Sequence, residues 1–173
     1  MKINLSSNNP LHHATPALVI GCCEDALGDL FASCDAQLDG SLQRLVANRE
    51  FSGKLNGTRL IDTQGKLPAE RLLLVGLGKQ AGLDDQRFCQ AAGTAVQALR
   101  GARVASFASA LQLAGGGARL LETVCEGLLL GSYSFDQYKT KDLAERFLFE
   151  GMTLLLPQEL SAGDAAARVA RQM

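Results

Sequence analysis

Long apolar runs and a leader-like start are both missing from this sequence. No stretch approaches the roughly 18 consecutive apolar residues that a membrane-spanning helix needs. Residues 1–10 also lack the long apolar stretch that marks a signal peptide. We therefore predict a cytoplasmic protein that does not enter a membrane.

A strong charge of either sign is missing as well. The chain has 17 basic and 18 acidic residues, a formal net charge of −1, and no block of like charge. Nucleic-acid binding needs a basic stripe that neutralises phosphates, and no such stripe is visible in the sequence. We therefore do not expect nucleic acid as a partner.

Catalytic motifs are absent too. The sequence contains no H-E-x-x-H, no G-x-S-x-G, no phosphate-binding loop and no Cys/His metal spacing. The only histidines, His12 and His13, are adjacent, and adjacent side chains rarely converge on one metal. The carboxylates are scattered singly and are interpreted as surface charges. We predict no catalytic residue, no metal ligand and no cofactor-binding residue in this chain.

The sequence contains cysteines, but they do not form a disulfide or metal-binding pattern. Cys22, Cys23, Cys34, Cys89 and Cys125 form an odd set with no CxxC pair, which argues against disulfides and against a zinc site. A nucleophilic thiol would need a neighbouring base and a lowered pKa, and a sequence cannot show either for the vicinal pair. We predict reduced, mostly buried thiols.

What the sequence does contain is the composition and pattern of a folded α/β domain. Apolar residues make up 47% and charged residues 20% of the 173 positions, which suits one globular domain. Predicted strands span residues 2–5, 17–22, 58–62, 71–76, 103–107 and 147–156. Predicted helices are two short ones within 24–49, then 84–101, 119–130 ended by Gly131, and a weak one at 162–172.

This alternation of strands and helices predicts a sandwich with a mixed, mostly parallel central sheet and helices on both faces. The apolar run at 71–76 is typical of a central strand covered on both sides. The helix at 119–130 is apolar over much of its girth, so it should be buried by the sheet and by a second element. The final helix has little to bury, and its small apolar surface resembles the start of a connection.

The segment 76–81 is a glycine-rich turn between a predicted strand and a helix. It matches the loose form of the dinucleotide-binding fingerprint, in which a pyrophosphate rests on amides at the helix start. Against this, the turn is long, the strand at 103–107 ends without an acid, and Asp84 and Asp85 would repel a phosphate. A structural turn with glycine at positive φ is favoured, with Lys79 as a solvated charge.

An aromatic cluster follows the helix at 119–130. Tyr133, Phe135 and Tyr138 lie close together in a chain that is only 5% aromatic. Such rings usually pin a loop to the body of a domain, and we favour that role over ligand binding. Lys139 and Lys141 are then exposed charges or contacts with a neighbouring domain.

Two stretches together carry a resemblance to a known family. Residues 71–79 and 127–140 resemble the V-G-L-G-K turn and the G-x-Y-x-F-x-x-Y-K-T segment of the leucine (cytosol) aminopeptidase family's N-terminal domain. The turn at 51–54 and the order of elements fit as well, so the resemblance covers nearly the whole chain. Ser134 and Gln137 depart from the motif, because arginine is common there in the family.

The resemblance implies a macro-like three-layer domain at 1–160. Residues 161–173 would start a linker helix to a C-terminal catalytic domain that this chain lacks. The family implies a hexamer in which two divalent metals, zinc or manganese, activate water against the first peptide bond of a substrate. The family's N-T-D-A-E-G-R segment is absent, so no metal ligand is transferred to this sequence. The expected role is an accessory one, supporting oligomer assembly and access to the active site.

Two alternatives stay open. A free-standing macro-like domain could bind ADP-ribose or a related nucleotide, although the fold alone does not imply that ligand. Its phosphate-cradling loop would have to be 76–81 or the glycine cluster at 115–117. DNA binding is attached to some bacterial members of the family, and the near-neutral charge gives it little support.

Overall fold

A central sheet organises the chain. The computed structural model describes residues 2–116, 118–133, 147–158 and 160–171. Its strands are β1 (Lys2–Ser6), β2 (Thr15–Cys23), β3 (Thr58–Asp62), β4 (Ala69–Gly78), β5 (Ser106–Ser109) and β6 (Gly151–Leu155). Within the described residues their order is β1-β6-β5-β2-β4-β3, and only the β3–β4 pair is antiparallel. The predicted mixed, mostly parallel sheet is confirmed.

Helices connect these strands. They are α1 (Asp29–Gln37), α2 (Ser41–Ala47), α3 (Asp85–Gly101), α4 (Leu120–Ser132) and α5 (Ala162–Ala170). Short 3-10 helices span Pro10–His12, Gln80–Gly82 and Leu111–Gly115. Over the described ranges, none of the helices combines the length and apolarity needed to cross a bilayer.

The sheet is covered on both faces, because its central strands β2 and β4 carry continuous apolar runs at 17–20 and 72–75. In β2, Val19 packs with α3 and α4, whereas its neighbour Ile20 packs with α1 and α2. In β4, Leu73 and Leu74 divide between the two faces in the same way. Successive side chains of a strand point to opposite faces, so this continuous apolar pattern produces three layers.

Helices α3 and α4 lie side by side in very close contact. A Cβ atom added to Gly127 would overlap the carbonyl oxygen of Cys89 and would lie 2.8 Å from the Cβ of Ala92. One added to Gly131 would lie 2.9 Å from the Cα of Gly93. The second element predicted to bury α4 is therefore α3, and glycine allows the two backbones to approach.

Several element boundaries differ from the prediction. β5 begins at Ser106 instead of 103, because Arg103 has a left-handed φ of 54° and its N–H still bonds to the carbonyl of Arg100 as α3 ends. β6 begins at Gly151, and the preceding Phe149 packs its ring against Phe107 at 5.7 Å. β4 extends beyond 76 to Gly78, and α4 ends at Ser132, one residue past the predicted stop.

The last helix buries more than its composition suggests. Ala165 is 0% and Val169 is 4% exposed, and both belong to the core cluster shared with α4. Arg168 Nη1 also lies 3.4 Å from Glu122 Oε1 on α4. The expectation that this helix has little to bury is therefore wrong. The reason is a strongly one-sided arrangement, in which two small apolar side chains one turn apart face the core.

Candidate functional site

The carboxyl ends of the parallel strands define the natural place to look for a site. Ligands of open α/β sheets bind outside these ends, where strand order allows a crevice. A cleft of about 590 Å³ lies there, between the end of β2, the start of α1 and the 3-10 helix Leu111–Gly115. We refer to it as the strand-end cleft.

The strand-end cleft is largely apolar with a few polar side chains. Asn9, Asp29, Ser33 and Gln80 contribute its polar groups, and Asp29 also lies in the first turn of α1. Among the described residues that line it there is no lysine or arginine. A nucleotide phosphate would therefore meet a carboxylate there and no cation, which is electrostatically unfavourable.

The glycine-rich segment 76–81 is partly strand and partly turn. Gly78 adopts the positive φ that the sequence predicted, at 77°. Gly76 has a different reason to be glycine: an added Cβ would overlap the carbonyl oxygen of Lys54. The exposed Lys79 follows Gly78, and the 3-10 helix Gln80–Gly82 then leads towards α3.

The start of α3 is already occupied by protein groups. The Arg87 N–H donates to Asp84 Oδ1 at 2.8 Å, which caps the helix. Arg119 Nη2 lies 3.1 Å from Asp85 Oδ1. A pyrophosphate on this helix start would have to displace a carboxylate cap, so the geometry favours a structural turn over a dinucleotide site.

In the second glycine cluster, 115–117, the two described glycines allow close packing and a tight turn. Gly115 ends the 3-10 helix against the Phe88 ring, which an added Cβ would overlap, and Gly116 has a φ of 104°. Gly117 lies outside the described residues. These two glycines form a tight connection between β5 and α4.

The two histidines do not converge on a site. His12 is the last residue of the first 3-10 helix and is exposed. His13, the next residue in the chain, is half-buried. In the ranges that the structure describes, no group of three or more His, Cys, Asp or Glu side chains could hold a metal ion.

The five cysteines are free thiols, four of them buried and Cys89 half-buried, which confirms the prediction. Burial is the main factor that raises the pKa of Cys22 to about 12, with smaller contributions from Cys23 and Cys34. Burial likewise raises the pKa of Cys34 and that of Cys125 to about 11. A nucleophilic thiol needs a lowered pKa, so this environment disfavours that role.

Most of the aromatic motif lies outside the residues that the structure describes. Ser134, Phe135, Gln137 and Tyr138, together with Lys139 and Lys141, lie in the range 134–146, and their predicted roles stay predictions. Tyr133 directly follows α4, and its side chain is 71% exposed.

Sequence reasoning missed one arrangement of charged residues at the end of β4. Glu24, Lys54, Lys79 and Arg87 surround a depression of about 570 Å³, which we call the basic depression. The cations belong to three separate turns and helices, so no spacing in the sequence signals that they lie together.

Comparison with known proteins identifies the chain. Residues 19–142 match the sequence model described as "Cytosol aminopeptidase family, N-terminal domain". The chain belongs to this family. A probable cytosol aminopeptidase from Geobacter sp. (strain M21) is 60% identical over 174 residues, covering 100% of this chain and 35% of the relative. This cytosol aminopeptidase domain thus spans about a third of the relative's length.

Solved structures agree on the fold of the family's domain. A mutant leucine aminopeptidase from tomato superposes with a TM-score of 0.81 at 18% identity, over 99% of this chain and 35% of that one. A Trypanosoma brucei macrodomain in complex with ADP gives a TM-score of 0.65 at 13% identity, over 98% and 68%. At these identities the similarity establishes the fold alone, and the predicted macro-like architecture is confirmed.

Proposed function

We propose that this chain is the non-catalytic N-terminal domain of a leucyl aminopeptidase, a two-metal enzyme that releases N-terminal amino acids from peptides. The match of residues 19–142 to the family's N-terminal domain carries the proposal. Residues 1–160 form the macro-like domain and 161–173 begin a linker helix. The two divalent metals, zinc or manganese, and the catalytic side chains belong to a catalytic domain outside this chain.

The chain's own chemistry supports an accessory role. Its thiols are held protonated near neutral pH by burial, so none is activated for nucleophilic attack. Among the described residues that line the strand-end cleft, Asp29 is the one acidic side chain, and there is no histidine or lysine beside it. These groups suit a supporting domain better than a hydrolytic centre.

The accessory role consists of oligomer assembly and control of access to the active site, in a cytoplasmic hexamer. The packing of α5 supports this role, because Ala165 and Val169 hold this helix against the domain. Such a rigid connection would transmit the position of one domain to the next.

Activity measurements test the proposal. Hydrolysis of a leucyl-anilide is measured with added manganese or zinc, on this chain and on the full-length Geobacter relative in parallel. We expect activity in the relative only. Hydrolysis by this chain alone would contradict the proposal and redirect attention to Cys22 and Cys23.

A chimera tests the accessory role itself. This chain replaces the matching third of the Geobacter relative, and light scattering coupled to gel filtration reports its oligomeric state. We expect a hexamer with the activity of the parent. A folded chimera that stays monomeric would show that the domain does not support assembly.

ADP-ribose binding is the second candidate, favoured by the position and size of the strand-end cleft. The carboxylate of Asp29 and the lack of a cation among the described lining residues count against it. Calorimetric titration with ADP-ribose decides the matter: we expect no saturable heat, and micromolar binding would favour a nucleotide-binding module.

A further inference from the structure

The basic depression at the end of β4 brings together three cationic side chains from separate segments. Lys54 comes from the turn before β3, Lys79 from the residue after β4, and Arg87 from the first turn of α3. Glu24 contributes the one carboxylate among its lining residues. The depression shares no lining residue with the strand-end cleft, although the two adjoin at residues 23–24 and 79–81.

Backbone hydrogen bonds hold the residues that carry these charges. The Gly78 N–H donates to the carbonyl of Gly53 at 3.0 Å, beside Lys54. The Glu24 N–H donates to the carbonyl of Gly78 at 2.8 Å, and the Asn56 N–H donates to that of Gly76 at 3.0 Å. The backbone segments that carry the charged side chains are thus hydrogen-bonded around the last residues of the buried strand β4.

The guanidinium of Arg87 packs closely against Gly78 and Gly82, which leave room for it because they have no side chain. A Cβ atom added to Gly82 would lie 2.7 Å from Arg87 Cζ, and one added to Gly78 would lie 3.2 Å from Nη1. Nη1 also donates to the carbonyl of Lys79 at 3.4 Å. This is the one side-chain hydrogen bond of Arg87 to another described residue. A guanidinium has five N–H donors, so most of them remain available within this part of the chain.

Among the residues that the structure describes, no ion pair involves Lys54, Lys79 or Arg87. The ion pairs of the described residues use other cations, namely Arg59, Lys66, Arg119 and Arg168. Among the described lining residues, three positive charges face one carboxylate, an excess of two. Beside the depression, Asp25 Oδ1 accepts a hydrogen bond from the Gln80 N–H at 2.9 Å and adds a second carboxylate outside the lining. A dianion would balance that excess, and guanidinium and ammonium groups are the side chains that bind phosphate oxygens best.

We infer that the basic depression binds a phosphate-class oxyanion. The oxyanion contacts the side chains of Lys54, Lys79 and Arg87, in contrast to a dinucleotide, which would rest on the amides of α3. Free phosphate and a phosphate monoester share this chemistry. The inference is independent of the accessory role proposed above.

Nuclear magnetic resonance of the isotopically labelled chain tests the inference. Inorganic phosphate is titrated at a pH of about 7.5, where it is mainly dianionic, against sodium chloride of equal ionic strength. We expect saturable shifts of the Gly78, Lys79 and Gly82 amides with phosphate only. A parallel titration with glycerol 2-phosphate distinguishes the sources: binding of both anions means that a terminal phosphate suffices, and binding of phosphate alone means the free ion.

Charge variants connect the shifts to the site. Lys79→Gln should weaken phosphate binding about threefold, and Lys54→Gln with Lys79→Gln about tenfold, since each exposed charge pair contributes modestly. Arg87→Lys keeps the charge but loses the planar fork, and should also weaken binding. The matched control is Lys66→Gln, which removes an equally exposed charge that pairs with Asp39 elsewhere.

Two results would overturn the inference. One is a set of shifts with phosphate that is no larger than with chloride. The other is a loss of affinity in Lys66→Gln equal to that in Lys79→Gln, which would mean a general charge effect. The lysines are exposed, so their variants should fold even if Arg87→Lys does not, and unchanged thermal midpoints verify this.

Discussion

At the scale of single residues, Gly76 and Gly78 are both required to be glycine, but for unlike reasons. Gly78 has a φ of 77°, which an L-residue with a side chain rarely adopts. Gly76 lies inside β4 at a point where the turn carrying Lys54 crosses it in van der Waals contact. The first constraint is conformational and the second is steric.

Replacing Gly76 by alanine should therefore destabilise the fold strongly. The new methyl would overlap backbone atoms of Gly53 and Lys54, which cannot move as a flexible side chain can. We expect a loss of about 3 kcal/mol in the free energy of unfolding, measured by urea denaturation. Gly163→Ala in α5 is the control, because its nearest neighbour is Ser161 Oγ at 4.0 Å, and it should be neutral or slightly stabilising.

Buried thiols predict a loss of stability at alkaline pH. The pKa of Cys22 is about 12 in the fold and 9.0 in the reference state, so the unfolded chain releases its proton first as pH rises. This contribution is intact below pH 9.0 and is lost progressively towards pH 12. Over that window, Cys22→Ala should lower the pH dependence of the unfolding free energy by up to about 1.4 kcal/mol per pH unit. Equal slopes for the two proteins would refute the assignment.

At the scale of secondary-structure elements, the contact between α3 and α4 depends on where glycine is placed. Gly127→Ala should push the helices apart, because its methyl would overlap the carbonyl of Cys89. We expect a net loss of about 1–2 kcal/mol in urea denaturation, after the better helix propensity of alanine is counted.

Gly93→Ala is the matched control on the facing helix. Its added methyl meets only the carbonyl of Gly127 at 3.8 Å, an ordinary contact. The variant should keep or gain up to about 1 kcal/mol, since alanine favours the helix. If both variants lost stability equally, the close contact would not depend on Gly127 itself.

The sequence predicts elements well where burial alone decides them. Strands β2 and β4 follow from continuous apolar runs, and α3 follows from its cap and its apolar stripe. The start of β5 was misplaced, because the left-handed Arg103 prolongs the end of α3 by hydrogen bonding. A single-residue conformation of this kind leaves no periodic signal.

At the scale of the whole molecule, α5 packs against the core of the domain. Its Val169 is 4% exposed in the core cluster that includes α4 residues. Val169→Ala should lower the unfolding free energy by about 2 kcal/mol, and ending the chain after residue 160 should cost more. Ala166→Ser, at an exposed position of the same helix, is the control and should change little. An unchanged stability of the 1–160 chain would show that the packing of α5 does not stabilise the domain.

The family could be inferred from the sequence, whereas the basic depression could not. Residues 71–79 combine a buried strand with a glycine turn, and that combination is specific because packing and backbone geometry both constrain it. Lys54, Lys79 and Arg87 are exposed or half-buried, so neither core packing nor backbone geometry restricts which residue types can occupy these positions. Only the folding of three segments against β4 brings them together.

The position of β1 has a consequence for protein synthesis. Within the described residues, β1 pairs only with β6. The hydrogen bonds of β1 therefore cannot form until Gly151 and the rest of β6 have been synthesised. At ribosomal rates of about 5–20 residues per second, synthesis of the intervening chain takes roughly 7 to 30 s. During that time the first strand leaves the ribosome long before its partner exists. Completion of the sheet at this edge is therefore a late event, timed by translation of the other end of the chain.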